Sequence, residues 1–292
     1  MKHKNKLLII LLSVIFLLTC ETDPLTGKTT MALISDKELF AASFQQYQEF
    51  LKENTVITGT PEAAMVTRLG ENIKDAAQRW YTSIGEPNYL KDYKWEYKLV
   101  ASKEINAWCM PGGKIVVYTG ILPVTQNEDA LATVMGHEVA HALLNHGKQR
   151  VSASFLAEFG LTAADLTAAI LGASNDSRQL LLGALGLGAN LGVLLPFSRE
   201  HESEADHYGL ILMAVAGYNP EESVPFWERM AAKGSNIPEF LSTHPSPSTR
   251  INDLKYKSIP EAQRKAAKLH LDPLKKEAIL KAKKTAAEIN NQ

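Results

Sequence analysis

The stretch His137-Glu138-Val139-Ala140-His141 lies in an apolar run that also holds Leu131, Val134, Met135 and Leu143. On an α-helix, residues i and i+4 leave the same face about one turn apart, so both imidazoles can reach one metal ion. Glu138 stands beside them, where a carboxylate can hold and deprotonate a water. Gly136 removes a side chain just ahead of the first histidine. Composition alone produces such a five-residue pattern in about one chain in a hundred of this length. A core helix with satisfied histidines is therefore the competing reading. Burial favours the metal, because two histidines and a glutamate on an apolar turn need partners and one cation serves all three.

Zinc hydrolysis asks for a third protein ligand and an open position. Glu202-Ser203-Glu204-Ala205-Asp206 offers it. Glu202 and Asp206 are i and i+4 on a predicted helix, so Glu202 can ligate while Asp206 accepts an N–H from a ligating histidine. Glu204 is turned well away from Glu202 and is expected to be structural or exposed. His201 and His207 flank the segment without an expected direct role. A zinc hydrolase with Cys109 as a ligand is a third reading, disfavoured because Glu202 and Asp206 already complete a coherent set.

The rest of the chain supplies ordinary globular material. It has 292 residues, 45% hydrophobic and 22% charged, with a formal net charge of −1. A sizeable core needs no disulfides, and nothing global points to nucleic acid. Ser35-Asp36-Lys37-Glu38 has capping-box spacing and opens a helix towards Lys52. Thr60-Pro61 starts a second, reaching about Tyr81. Trp95, Tyr97 and Leu99 alternate with charged residues as a half-buried strand does. Lys114 to Thr119 is a β-branched run behind the turn Pro111-Gly112-Gly113, and Asn106-Ala107 sits on a short edge strand between the two. From Asn127 onward the pattern is helical: one helix through the histidine motif to about Gly147, another over Ser198–Ala216, and starts at Asn219-Pro220 and Ser246-Pro247. The fold class is α+β, mostly helical, with a small β-sheet. The Gly-interrupted run Leu180–Leu195 reads as a buried or amphipathic cover helix, and residues 258–292 as a Lys/Ala-rich helical tail.

The N-terminus has the form of an export signal. Lys2, Lys4 and Lys6 precede an apolar run from Leu7 to Leu18, too short for a comfortable span, and Leu17-Leu18-Thr19-Cys20 closes it. Residues 1–19 are expected to be a lipoprotein signal peptide and Cys20 the lipidated residue. Thr19 departs from the small residue usual at that position. Residues 20–34 follow as a polar tether with Pro24 and Gly27 as breakers. Cys109 then remains as the one other cysteine, so no disulfide staples the domain.

Taken together, the order of helix motif, insertion, Glu-x-x-x-Asp segment and the later Ser242-Thr243-His244-Pro245 with Arg250 resembles the gluzincin zinc metallopeptidases related to BepA, HtpX and the CAAX prenyl endopeptidases. The hairpin from Asn106-Ala107 through Pro111-Gly112-Gly113 to Thr119-Gly120 belongs to the likeness, and so does Pro24-Leu25-Thr26-Gly27. It covers roughly Pro24 to Tyr256. The resemblance implies a zincin-like (minigluzincin) catalytic domain over 35–257, whose edge strand borders the active-site cleft. It implies one zinc ion per chain, held by His137, His141 and Glu202, with Glu138 as general base and then acid and Asp206 behind the ligands. It implies that Asn106 and Ala107 offer backbone groups to an extended substrate, and that His244 and Arg250 lie near the metal. Either of those two would stabilise the oxyanion, or His244 would occupy the open zinc position as a latch. The chain departs from membrane-spanning and repeat-bearing relatives and matches the stand-alone lipoprotein branch.

The expected activity is zinc-dependent endoproteolysis of protein or peptide substrates, namely misfolded or unassembled envelope proteins, by a water that Glu138 activates. The expected location is the bacterial cell envelope, anchored by lipid and facing the periplasm, on the outer rather than the inner membrane. A zinc-stabilised, chaperone-like binding module that seldom cleaves is the alternative.

Overall fold

The computed structural model describes residues 20–159, 197–233, 244 and 249–270, with the backbone alone at 154–159. The signal segment, the Leu180–Leu195 run, the Ser246-Pro247 helix start and the tail beyond 270 lie outside the described residues.

The segment expected as a tether folds into a hairpin, β1 (Cys20–Thr22) against β2 (Thr29–Met31). Asp23 closes it, its Oδ1 accepting the N–H groups of Leu25 and Thr26. Helix α1 (Asp36–Glu53) starts on the Ser35–Glu38 capping box, as the spacing predicts. After β3 (Val56–Ile57), helix α2 (Pro61–Ser83) starts with Thr60 as its N-cap and a proline in its first turn. Strands β4 (Glu96–Val100), β5 (Ala107–Met110) and β6 (Lys114–Tyr118) complete a sheet of order β3-β4-β6-β5. β5 and β6 are antiparallel through the Pro111-Gly112-Gly113 turn, where both glycines have positive φ. β4 runs parallel to β6.

The sheet is covered on both faces, and strand period divides its side chains between two cores. Tyr97, Leu99, Ala107, Ile115 and Val117 face the large core of α2 and the later helices. Val100, Trp108, Met110, Val116 and Tyr118 face Tyr47 and Phe50 of α1. This is why every residue of β6 is buried, charged Lys114 included. Lys114 lies 3.1 Å from Glu96 and over the rings of Phe44 and Tyr47.

Helix α3 (Glu128–Leu143) is capped by the Asn127 side chain and carries the histidine motif. It ends earlier than Gly147: Asn145 takes φ 56°, and α4 (His146–Phe159) sets off in a new direction. Helices α5 (Arg199–Val215) and α6 (Ser223–Ala232) follow, then α7 (Arg250–Asp253), which continues through a π-turn into a helix at 259–270. Ile259, Ala262, Ala266 and Leu269 enter the same core as α2, α3 and α5. Among the described residues, no helix is long and apolar enough to cross a membrane.

Candidate metal centre

Two helices build the site by touching backbone to backbone. A Cβ on Gly136 of α3 would stand 2.7 Å from the Gly209 carbonyl oxygen, and a Cβ on Gly209 of α5 would stand 2.7 Å from the His137 amide nitrogen. The helices run antiparallel at this crossing. Stepping from His137 to His141 along α3 therefore matches stepping back from Asp206 to Glu202 along α5.

The donor atoms converge in the cleft this creates. His137 Nε2 and His141 Nε2 are 3.1 Å apart, and Glu202 reaches them at 3.5 and 3.2 Å through its two oxygens. His244 Nδ1 joins from another segment, 3.0 Å from Glu202 Oε1 and 3.3 Å from His137 Nε2. Each of the four residues is buried, and their ligand atoms all lie within 4.8 Å of one another. His137 and His141 each have the far ring nitrogen engaged elsewhere, so two imidazole nitrogens and a carboxylate are left aimed at one point. A cation fits that donor set, and two histidines with one glutamate is a zinc-hydrolase set.

The surrounding groups orient these donors. His137 Nδ1 is 3.0 Å from Asp206 Oδ1, on the side of the ring away from the other donors. Arg250 Nη2 donates to Asp206 Oδ1 at 2.6 Å and to Glu202 Oε2 at 3.3 Å, and its guanidinium lies 3.5 Å from the centroid of the Trp227 ring. Arg250 is thus buried against the carboxylates behind the metal point. His141 Nδ1 faces His146 Nδ1 at 2.9 Å, and His146 Nε2 faces Glu204 at 3.1 Å. Glu204 is therefore part of the site's support, although its helical phase turns it away from Glu202. His146 carries no motif signal, since the break at Asn145 is what swings it back towards His141. Phe197 stacks on His141 with centroids 3.9 Å apart.

Charge follows the same geometry. Burial disfavours a cationic His137, but Glu202 and Asp206 outweigh it and push its pKa up to about 10. Burial raises Glu202 and Asp206 in isolation; the surrounding histidines for the first, Arg250 and His137 for the second, reverse this and hold both ionised. Glu138 goes the other way: burial, above all, raises its pKa. Its Oε1 lies 3.5 Å from His244 Nε2 and has no hydrogen-bond partner among the described residues.

The candidate substrate edge lies alongside. β5 is an edge strand and packs against α3. The Asn106 carbonyl accepts from Tyr118 N–H, while Ala107 N–H donates to Asn106 Oδ1. Cys109, on this strand, is not among the clustered metal-ligand atoms, and burial pushes its thiol pKa up. His201 donor or acceptor contact goes to Gln149, and His207 contacts Ser258.

Comparison with known proteins places this chain among peptidases. The model of Peptidase family M48 matches residues 69–258. The chain is 38% identical over 177 residues to the mitochondrial metalloendopeptidase OMA1 of Schizosaccharomyces pombe, covering 60% of this chain and 49% of that protein. It is 32% identical over 282 residues to the OMA1 metalloendopeptidase of Danio rerio, covering 92% of this chain and 56% of that one. It is also 31% identical over 163 residues to the beta-barrel assembly-enhancing protease of Escherichia coli, covering 53% and 32%. The chain spans about half the length of the OMA1 relatives it matches.

Proposed function

The chain belongs to Peptidase family M48, and from that premise we propose that it is a zinc-dependent endopeptidase of the cell envelope, acting on misfolded or unassembled envelope proteins. The observation that carries the enzymatic reading is the convergence of His137, His141 and Glu202 beside a buried Glu138 whose Oε1 has no hydrogen-bond partner among the described residues. The chemistry a bound zinc ion supplies is Lewis acidity towards a water and the scissile carbonyl. Glu138 takes a proton from the attacking water, whose oxygen adds to the carbonyl carbon. It returns that proton to the nitrogen as the C–N bond breaks, leaving a carboxylic acid and an amine. A carboxyl raised by burial suits both directions of transfer.

The other residues bind and orient. Asp206 fixes the His137 tautomer, and Arg250 braces Glu202 and Asp206. Asn106 and Ala107 lie where an extended peptide can add to the sheet edge. His244 is read as a latch, since its Nδ1 sits among the other ligand atoms. The envelope reading rests on the N-terminal signal pattern with lipidation at Cys20. The beta-barrel assembly-enhancing protease among the relatives supports it, whereas the OMA1 relatives are mitochondrial by name.

The test is to purify the full chain, measure bound zinc, and assay an unfolded outer-membrane protein with wild type and Glu138→Gln. The expected result is one zinc per chain in both and cleavage by the wild type alone. Equal cleavage by the variant overturns the mechanism.

A further inference from the structure

The two motif histidines are held from behind in different ways. His137 meets a carboxylate directly, through Asp206. His141 meets another imidazole, and the chain of contacts runs on: His141 Nδ1 to His146 Nδ1 at 2.9 Å, His146 Nε2 to Glu204 Oε2 at 3.1 Å, Glu204 Oε1 to Lys28 Nζ at 2.6 Å. Lys28 also meets Glu200 at 2.5 Å. Lys28 belongs to the loop between β1 and β2, so the chain of contacts begins at the N-terminal hairpin and ends on a metal-ligand candidate.

Hydrogen-bond logic fixes the direction. For His141 to present an Nε2 lone pair to the metal point, its proton must sit on Nδ1 and be donated to His146 Nδ1. His146 then carries its own proton on Nε2 and donates it to Glu204. Glu204 must be an ionised acceptor, and Lys28 supplies the compensating charge. His146 is fully buried, so it has no water to replace either partner.

The hairpin is itself fixed to the body. Leu33 N–H donates to Ser152 Oγ at 3.1 Å, and Tyr208 Oη donates to the Leu25 carbonyl at 3.4 Å. Lys148, buried on α4, pairs with Glu21 of the hairpin and with Asp36 at 2.8 Å. These contacts leave Lys28 little freedom to leave Glu204.

We propose that His146, Glu204 and Lys28 are positioning residues for His141, so that the N-terminal hairpin sets the tautomer and ring orientation of a metal ligand. This rests on the zinc reading above. The hairpin begins at Cys20, the proposed lipid site, so the anchor and the ligand are joined by a short stretch of chain and this run of hydrogen bonds.

The test measures zinc affinity by chelator competition, and the melting point without metal, on the full chain in detergent. Glu204→Ala is expected to weaken zinc binding by about 10–100-fold, the usual effect of removing a ligand's supporting partner. Lys28→Met, at a half-exposed position, is expected to weaken it by a smaller factor, and Lys28→Arg to restore it. A cavity of about 340 Å³ along Lys28, Glu204 and Gln149 gives the longer side chain room. Equal affinity in wild type, Glu204→Ala and Lys28→Met overturns the proposal. So does a loss that follows the metal-free melting point and is not recovered by Lys28→Arg. A wild-type chain that binds no zinc overturns the underlying metal reading, a result distinct from either.

Discussion

Gly136 and Gly209 face each other across two helices so closely that neither position has room for a Cβ. This contact sets the spacing of the whole site. His137 follows Gly136 directly, and Asp206 and Glu202 lie up to two turns before Gly209 on the partner helix. Gly209→Ala would force the helices apart at a point where the opposing atoms are backbone. The expected cost is about 1–3 kcal/mol of stability, together with weaker zinc binding because the donors no longer converge. A melting curve and a zinc titration check both; unchanged zinc affinity would show that the crossing does not set the donor spacing.

Metal affinity should depend on pH through His137. Its pKa is raised to about 10 in the metal-free fold, so zinc must displace a proton from it. Between pH 6.5 and 8.5 affinity is expected to rise about tenfold per pH unit, one proton being released per ion. The metal-free protein is expected to follow the opposite trend in stability. A group with its folded pKa raised contributes fully below its unfolded pKa and loses that contribution as pH rises through the folded value. The metal-free melting point should therefore fall from about pH 6.5 towards pH 10. Isothermal titration in buffers of different ionisation heat counts the released proton.

Arg250 is the charge partner that lets two carboxylates stay buried side by side. Arg250→Ala takes from Glu202 and Asp206 one of their two cationic partners, protonated His137 being the other, at an expected cost of about 3–5 kcal/mol. Denaturant unfolding of the metal-free protein measures it. A loss of activity at unchanged stability would instead favour contact between Arg250 and the oxyanion.

His244 Nδ1 lies within hydrogen-bond distance of Glu202 and His137 and its ring packs against His141, so its removal should open a position on the metal. His244→Ala is expected to raise proteolysis while zinc stays bound through His137, His141 and Glu202. Cleavage assays with zinc analysis check it. A fall in turnover at full zinc occupancy would favour the oxyanion role and sink the latch.

Elements with local signals were legible in advance. The Ser35 capping box, Thr60-Pro61, the Asn127 cap and the Pro111-Gly112-Gly113 turn each describe interactions within a few residues of chain. The alternation of Tyr97 and Leu99 likewise marked a strand with a buried face. The tether is different: Glu21 to Thr30 has the composition of a linker, and contacts from Lys148, Glu204 and Tyr208, distant in sequence, tie the hairpin to the body.

The same distinction runs through the site. The sequence by itself determined that His137, Glu138 and His141 share a helix turn, and that Glu202 and Asp206 share another, because i,i+4 spacing is a property of one helix. It could not determine that Gly209 meets Gly136, that Asn145 turns the chain to bring His146 onto His141, or that Lys28 reaches Glu204. Those contacts join residues far apart along the chain, and only the packing of separate helices against one another decides which side chains meet.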